Sequence, residues 1–244
     1  MAVTYDENIK NTNERIIEMG IKETIQRLKK VEKGKFAEST GDLLNELGAT
    51  GICELCMAMN DFSLGDRLHV LDILENEWDG TAMTPLCVEQ FLEATDNPVM
   101  VSKFLSALKN SRTVELIPVI ARTLGSSDKR VRANAVEAIS AISSSLEAAR
   151  LLFPFLHDED NRVKANTAVA LWKYEELRER IKDIFDEMVM DERKWMRASA
   201  YYAFGEIGLS DFVQKLLDGL ADSDEDACKT AVVALIGYSE RFGM

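Results

Sequence analysis

The chain has 244 residues, of which 46% are hydrophobic and 29% are charged, and its formal net charge is −13. It is too apolar for a disordered chain, its 4 cysteines are too few for a disulfide scaffold, and no apolar run approaches the roughly 20 residues of a membrane span. Because the N-terminus also has no stretch of the signal-peptide kind, we expect a soluble cytoplasmic protein with reduced thiols.

The first 35 residues are predicted to form an amphipathic helix. Their apolar positions recur at steps of three and four residues: Ile17, Ile21, Ile25, Leu28 and Val31. Such spacing places the side chains on one face of a helix. We expect residues 1–35 to cap the array of helix pairs that follows, because the end of such an array needs a polar outer surface. A helix that binds a partner is the alternative.

Residues 36–110 are predicted to hold degenerate copies of a helical repeat. Weak copies lie at 66–74 and 100–108, with the apolar steps of an amphipathic helix. Clean two-residue alternation, which would indicate strands, is hard to find anywhere in the sequence. The chain is therefore predicted to be nearly all helix.

The same region contains the motif Cys53-Glu-Leu-Cys56. A C-x-x-C spacing can serve as a redox pair or as half of a metal site, and Cys87 and His69 could complete four zinc ligands. Both cysteines of the motif lie in an apolar helical run, and the sequence has no second C-x-x-C. We therefore favour packing in the core over metal binding or redox chemistry.

Residues 111–244 contain well-formed copies of the repeat, with a period of 31 to 34 residues. The clearest copy is 128–139, and related segments follow at 161–171, 195–204 and 226–235. Each is preceded by a second amphipathic segment: 114–124, 146–156, 177–190 and 211–220. Short polar turns with Asp and Ser, which cap helices, separate the two. The unit is helix A, a tight turn and helix B, and about six such pairs are predicted to stack, since one pair cannot bury its apolar face alone.

Helix B carries small residues at two repeated positions. The first position holds Ala135, Thr167, Ala200 and Ala231, and the second holds Ala138, Ala170, Ala203 and Ala234. Small side chains let neighbouring helices approach closely. Helix B is therefore predicted to pack tightly against its neighbours.

The segment 128–139 reads Asp-x-x-Val-Arg-x-x-Ala-x-x-Ala-Ile, and its copies repeat much of this pattern. The pattern resembles the HEAT-repeat family, in particular the short bacterial repeats also found in phycobilisome lyase subunits. The resemblance implies an all-α fold, a right-handed α-solenoid of stacked antiparallel helix pairs.

The resemblance also implies a ladder of hydrogen bonds between adjacent turns. Its basic members would be Arg132, Lys164 and Arg197, and its acidic members would be Asp128, Asp160 and Asp191. Residues that recur in every repeat serve the stack before they serve a ligand. In the last copy Cys228 replaces the basic residue.

Outward positions on helix B that vary between repeats are better candidates for binding, because in HEAT-like stacks helix B usually lines the concave surface. The positions predicted to bind a partner are Arg130, Asn134, Arg162, Asn166, Trp195, Ser199 and Tyr202. Trp, Tyr and Arg dominate interface hot spots. The alternative for Trp195 and Tyr202 is that both rings fold back over the gaps between repeats.

The sequence offers little for catalysis. HEAT-type iron hydroxylases use His-Glu pairs, but the 2 histidines here, His69 and His157, are followed by Val and Asp. Motifs of nucleotide-binding proteins, zinc proteases and serine hydrolases are also missing. We predict no enzymatic activity, no cofactor and no bound metal. Nucleic acid and anionic membranes are disfavoured as partners, because a net charge of −13 repels them.

The favoured hypothesis is a non-enzymatic scaffold or adaptor that binds a protein or peptide segment on the concave helix B surface, with Arg130, Arg162, Trp195 and Tyr202 as anchors. The alternative, implied by the resemblance, is a lyase-like or modifying accessory subunit. That role needs an exposed Cys or His in the groove, and only Cys228 lies near it. We also expect self-association, because no polar cap follows the last helix B.

Overall fold

A computed structural model describes Glu23 and residues 51–59, 62–78, 83–208 and 210–242. Apart from Glu23, the cap predicted for the first 35 residues lies outside these ranges. Within them all regular structure is helical and there is no strand. The prediction of an all-α fold is confirmed.

Six helix pairs follow one another along the described residues. The first helix of each pair, helix A, is α1 (51–58), α3 (Pro85–Ala94), α5 (Ile117–Ala121), α7 (Leu146–Leu152), α9 (Arg178–Val189) or α11 (Val213–Gly219). The second, helix B, is α2 (Leu64–Glu77), α4 (Pro98–Leu108), α6 (Lys129–Ile142), α8 (Asn161–Leu171), α10 (Lys194–Ile207) or α12 (Glu225–Phe242). In the last four pairs 3-10 turns extend helix A, at Val114–Leu116, Arg122–Gly125, Phe153–His157, Glu175–Leu177 and Ser210–Phe212.

Polar side chains cap several B helices, as the turn composition predicts, although Arg193 at the start of α10 makes no side-chain cap bond. The Asp160 carboxylate accepts the backbone N–H groups of Arg162 at 3.0 Å and Val163 at 3.3 Å. Ser63 caps α2 by accepting the N–H of Asp66 at 3.2 Å. These bonds satisfy donors that the first turn of a helix leaves unpaired, so the polar turns before α8 and α2 fix where those helices start.

The small residues of helix B lie in the core. All eight repeated positions are buried: Ala135, Ala138, Thr167, Ala170, Ala200, Ala203, Ala231 and Ala234. Helix α10 packs against both α8 and α12. A Cβ on Gly205 of α10 would lie only 2.9 Å from the Cβ of Ala234, so the missing side chain sets how closely α10 and α12 cross. The prediction of tight packing between B helices is confirmed.

The described residues fall into two compact units. The first unit comprises those up to Thr123 together with Ala141–Ser143, and the second comprises Leu124–Ser140 and those from Ser144 onward. In the first unit α2 packs against α4, and the Glu75 carboxylate of α2 accepts hydrogen bonds from Ser106 and Lys103. The domain boundaries predicted near residues 35 and 110 stay predictions.

The second unit has an aromatic core. Phe204 of α10 stacks on Phe212 with ring centroids 4.6 Å apart, and Phe185 of α9 meets Phe204 edge-on at 5.0 Å. Trp172 meets Phe212 edge-on at 5.0 Å. Since these residues come from consecutive repeats, their packing joins neighbouring helix pairs into one hydrophobic core.

Candidate functional site

Three consecutive B helices of the second unit line an open cavity of about 390 Å³. Its lining consists of Glu137 from α6, Asn161, Arg162 and Asn166 from α8, and Ser199 and Tyr202 from α10. We call this the helix B cavity. Four of the seven residues predicted to bind a partner thus lie together around one space, although their role in binding stays a prediction.

Arg162 is held in place by residues of the preceding helix B. Its Nη2 group donates to Asn134 Oδ1 at 2.7 Å and to Glu137 Oε1 at 3.4 Å. Asn134 is buried and does not line the cavity. The side chain of Arg162 nevertheless remains 50% exposed, so it is oriented by the protein and accessible from solvent.

Glu137 is bonded from two sides. Besides Arg162, Asn166 donates its Nδ2 group to the same Oε1 atom of Glu137. Asn166 is buried, so this bond satisfies an amide that would otherwise be costly to desolvate. The carboxylate of Glu137 therefore fixes both polar side chains of α8 that face it.

Asn161 joins α8 to α10. Its Nδ2 group donates to the backbone carbonyl of Trp195 at 3.1 Å and to Ser199 Oγ at 2.6 Å. These two bonds hold the first two turns of α10 against the first turn of α8. Asn161 thereby fixes the part of α10 from which the Trp195 side chain extends.

The two aromatic rings predicted as anchors are both about half exposed. Trp195 is 52% and Tyr202 is 48% exposed. Partial burial raises the pKa of the Tyr202 hydroxyl, and the nearby Glu206 and Glu137 carboxylates raise it further, against the opposing effect of Arg162. Tyr202 is therefore a neutral hydrogen-bonding group at physiological pH, with part of its ring available for contact.

Arg130 lies apart from the cavity. Its guanidinium is paired with Asp128 of its own turn, with Nη2 to Oδ2 at 2.7 Å and Nε to Oδ1 at 3.1 Å. The same carboxylate accepts the backbone N–H of Arg130 at 2.8 Å. The guanidinium of Arg130, assisted by this backbone bond, holds the pKa of Asp128 at about 2. Of the predicted anchors, Arg162 and Tyr202 line the cavity, while Arg130 and the Trp195 side chain do not.

Sequence analysis missed Asn161 altogether. It occupies the first residue of α8, at the same place in the repeat as Lys129 and Lys194, just before the outward positions that were considered. An uncharged polar residue where the neighbouring repeats on both sides carry Lys was the available signal. Glu137, which belongs to the same outward face, was left out of the predicted binding residues.

The ladder between turns exists, but its acidic members differ from the prediction. Arg132 donates from Nε and Nη2 to Asp158, both at 2.8 Å, and Arg197 donates likewise to Asp222, both at 2.7 Å. The prediction of Asp160 as an acidic member of the ladder was wrong for Arg132, although Asp160 does pair with Lys129 of the preceding repeat, with Nζ and Oδ2 3.1 Å apart. Asp160 instead caps α8, and the carboxylate two residues earlier in the turn is the one that meets Arg132.

In the last repeat Cys228 stands where the ladder arginines stand. Its thiol donates to the carbonyl of Leu220 at 3.3 Å, in the turn before its own helix. Arg197 donates similarly to the carbonyl of Asp191 at 2.9 Å. Cys228 thus keeps one bond of the ladder pattern and does not line the helix B cavity.

The remaining cysteines lie in the first unit. The structure joins Cys53 of α1 to Cys87 of α3 by a disulfide, with their Cα atoms 5.4 Å apart. The expectation of reduced thiols is wrong for this pair. Cys87 follows Cys53 by 34 residues, one repeat length, which brings both to the same level of neighbouring A helices. Cys56 is buried in the core, as predicted, and burial raises its pKa to about 12.

Groups of three or more His, Cys, Asp or Glu that could hold a metal ion do not occur among the described residues. His157 contacts Arg180, with Nε2 and Nη2 2.9 Å apart, at the end of a 3-10 turn.

Among the helices that the structure describes, none combines the length and apolarity that crossing a bilayer requires.

Two stretches of the chain match the family model of HEAT repeats, residues 88–172 and 150–237. Together they cover more than half of the sequence, and they contain the ladder and the helix B cavity. The chain belongs to the HEAT-repeat family. The particular relation to repeats of phycobilisome lyase subunits stays a prediction.

Similar solved structures include two engineered proteins from a structural genomics consortium and human deoxyhypusine hydroxylase in complex with glycerol. The first engineered protein has 15% identity and a TM-score of 0.40, with 78% of this chain and 98% of that chain covered. The second has 16% identity and a TM-score of 0.35, with 88% and 96% covered. The hydroxylase has 14% identity and a TM-score of 0.35, with 93% and 99% covered. Likenesses at this level do not bear on activity. No curated protein matches the chain.

Proposed function

We propose that this HEAT-repeat protein is a non-enzymatic scaffold or adaptor that binds a segment of a partner protein on the surface of its B helices. The observation that supports the proposal is the helix B cavity, in which an oriented and half-exposed Arg162 lies beside the half-exposed Tyr202. Arg and Tyr in such a setting are the residue types that contribute most to protein interfaces.

The hydrogen bonds around the cavity favour binding over a purely structural role. Asn134 and Glu137 fix the Arg162 guanidinium before any partner arrives. Asn161 fixes the turn of α10 that presents Trp195. A surface that is already ordered loses little conformational entropy when it binds, so its contacts translate more fully into affinity.

The test is affinity capture from native lysate with three baits. These are the wild-type chain, the double variant Arg162→Glu/Trp195→Ala, and the control Arg150→Glu/Met190→Ala. Both control positions are exposed on the helix A side, in α7 and at the end of α9. We expect the wild-type chain and the control to capture the same protein, and the double variant Arg162→Glu/Trp195→Ala to lose it.

A partner that binds the double variant Arg162→Glu/Trp195→Ala as tightly as it binds the wild-type chain would contradict the proposal, provided that circular dichroism shows the variant and the wild type to be folded.

Self-association also stays a prediction. Helix α12 exposes four large apolar side chains on which such an interface would be built: Val232, Val233, Ile236 and Phe242.

A further inference from the structure

The Arg162 guanidinium has donors to spare. Its Nη2 group makes both of the hydrogen bonds that hold it, to Asn134 and Glu137. Its Nε and Nη1 groups, which carry three N–H donors, make no hydrogen bond to any other residue that the structure describes. A guanidinium that is oriented on one side and open on the other is prepared to receive an acceptor.

The Tyr202 hydroxyl is in a similar position. It has no hydrogen-bond partner within the described part of the chain, and its ring is 48% exposed. It lies on α10, across the cavity from Arg162 on α8. The cavity therefore offers cationic donors on one side and a hydroxyl with an apolar ring on the other.

The charges around the cavity select the chemistry of the ligand. A cationic side chain would meet Arg162 directly. A phosphate dianion would bring two negative charges beside the Glu137 carboxylate, which already pairs with Arg162, whereas a carboxylate ligand brings only one. One carboxylate suits one guanidinium, because the planar fork of Arg matches the two oxygens of a carboxylate.

The net negative charge of the whole chain does not prevent a carboxylate from binding in the helix B cavity. The segment 128–200, which supplies every residue of the cavity except Tyr202, has 14 acidic and 13 basic side chains. At physiological ionic strength, charges more than about 8 Å away are largely screened. The groups that line the cavity therefore decide which ligand enters it.

We propose that the helix B cavity receives the side-chain carboxylate of an Asp or Glu in the partner segment, with Arg162 as its donor and an adjacent apolar side chain packed on Tyr202. This inference rests on the proposed function. The cavity is lined by three successive B helices and is open, so an extended segment can cross it and place an internal side chain inside.

The experiment selects binders from a displayed library of random twelve-residue peptides. The baits are the full wild-type chain, Arg162→Glu, the milder Arg162→Gln and the control Arg150→Glu, which reverses an exposed charge on α7 of the same repeat. We expect peptides from wild type and from the control to share an Asp or Glu beside an aliphatic or aromatic residue. Peptides selected on Arg162→Glu should carry Lys or Arg at that place.

Isothermal titration then compares an enriched peptide with its amide counterpart, in which the shared Glu is Gln or the shared Asp is Asn. We expect the amide peptide to bind wild type at least about tenfold more weakly, as loss of a charge-assisted pair requires. The same change should have little effect on binding to Arg162→Gln. The enriched peptide with an amidated C-terminus should bind as tightly as the same peptide with a free C-terminal carboxylate, because the proposed ligand is a side chain.

The outcomes separate this inference from the proposed function. Peptides that depend on Trp195 and Tyr202 but not on a carboxylate would overturn the inference and leave the proposed function standing. Peptides that require a free C-terminus would overturn the assignment to a side chain. If no selected peptide is weakened by Arg162→Glu, Trp195→Ala or Tyr202→Ala in folded protein, or if none is enriched, both proposals fall.

Discussion

The carboxylate of Asp222 accepts hydrogen bonds from two side chains in the preceding repeat. Arg197 donates twice at 2.7 Å, and the Tyr201 hydroxyl donates at 3.1 Å. The side chains of Asp222 and Arg197 are only 3% and 14% exposed. Replacing this carboxylate by an amide would remove the negative charge and set an NH2 donor against the Arg197 guanidinium in a place that water barely reaches, which makes the pair sensitive to substitution.

We therefore expect Asp222→Asn to lower the free energy of unfolding by about 2 to 3 kcal/mol. The matched control is Asp226→Asn, which removes the same charge from a carboxylate that is 74% exposed, and it should change stability by less than about 0.5 kcal/mol. Urea denaturation of both variants measures the difference. Equal effects would contradict a special role for the buried pair.

The same pair predicts a dependence of stability on pH. Hydrogen bonds from Arg197 hold the pKa of Asp222 at about 2 in the folded protein, below the ordinary value of 3.8. A depressed pKa contributes stability that is complete above the unfolded value and is lost as the pH falls toward 2. Urea midpoints measured from pH 6 to pH 2 should fall for wild type, and they should fall less steeply for Asp222→Asn.

The cysteines should differ in reactivity in the native protein. Cys53 and Cys87 are joined, and Cys56 is buried with its pKa raised to about 12, so none of the three offers an accessible thiolate. Cys228 is partly exposed. We expect iodoacetamide to label Cys228 first, as read by peptide mass spectrometry. Rapid labelling of Cys53 in the absence of reductant would show that it is not joined to Cys87.

At the scale of the helices, two glycines make a matched comparison. A Cβ on Gly205 would lie 2.9 Å from the Cβ and 3.2 Å from the Cα of Ala234, so α10 and α12 would have to move apart. Nothing lies within 4 Å of a Cβ on Gly237 in α12. We expect Gly205→Ala to destabilise by about 1 to 3 kcal/mol and Gly237→Ala to stabilise by about 0.5 to 1 kcal/mol. Thermal unfolding of the two variants shows whether each substitution raises or lowers stability. A Gly205→Ala variant more stable than wild type would show that α10 and α12 pack less closely than described.

The helices themselves follow from local sequence information. Apolar steps and polar turns placed α6, α8 and α10 within three residues of their observed bounds, because each helix is decided by residues near one another in the chain. The start of α12 was also placed within one residue, but that helix continues seven residues beyond the predicted segment 226–235. Side-chain partners between repeats were harder to predict. Two carboxylates of one turn, Asp158 and Asp160, were equally available for Arg132, and only the direction of the turn distinguishes them.

The candidate site shows the same limit. The outward positions of helix B were predictable from the register of the repeat, which brought Arg162 and Tyr202 into consideration. That Asn161 would tie α8 to α10 depends on how closely two turns approach each other, and this distance is set by the packing of entire repeats. The pairing of Cys53 with Cys87 likewise depends on the approach of two A helices.

At the scale of the whole molecule, repeat proteins are held together by contacts between neighbouring units, so the effect of a substitution should stay near it. The bonds between Arg197 and Asp222 join α10 to the turn before α12. Losing them weakens the packing of α10, α11 and α12 without touching α2 and α4 in the first unit. Local opening of the affected helices then becomes easier, while distant helices keep their own stability.

Hydrogen exchange followed by mass spectrometry tests this expectation in the full chain. In Asp222→Asn, backbone amides of α10 and α12 should exchange faster than in wild type, while those of α2 and α4 should exchange at unchanged rates. The exposed control Asp226→Asn should leave both regions unchanged. Uniformly faster exchange across all helices would mean that the chain unfolds as one cooperative unit, because only global unfolding couples the last repeat to the first so completely.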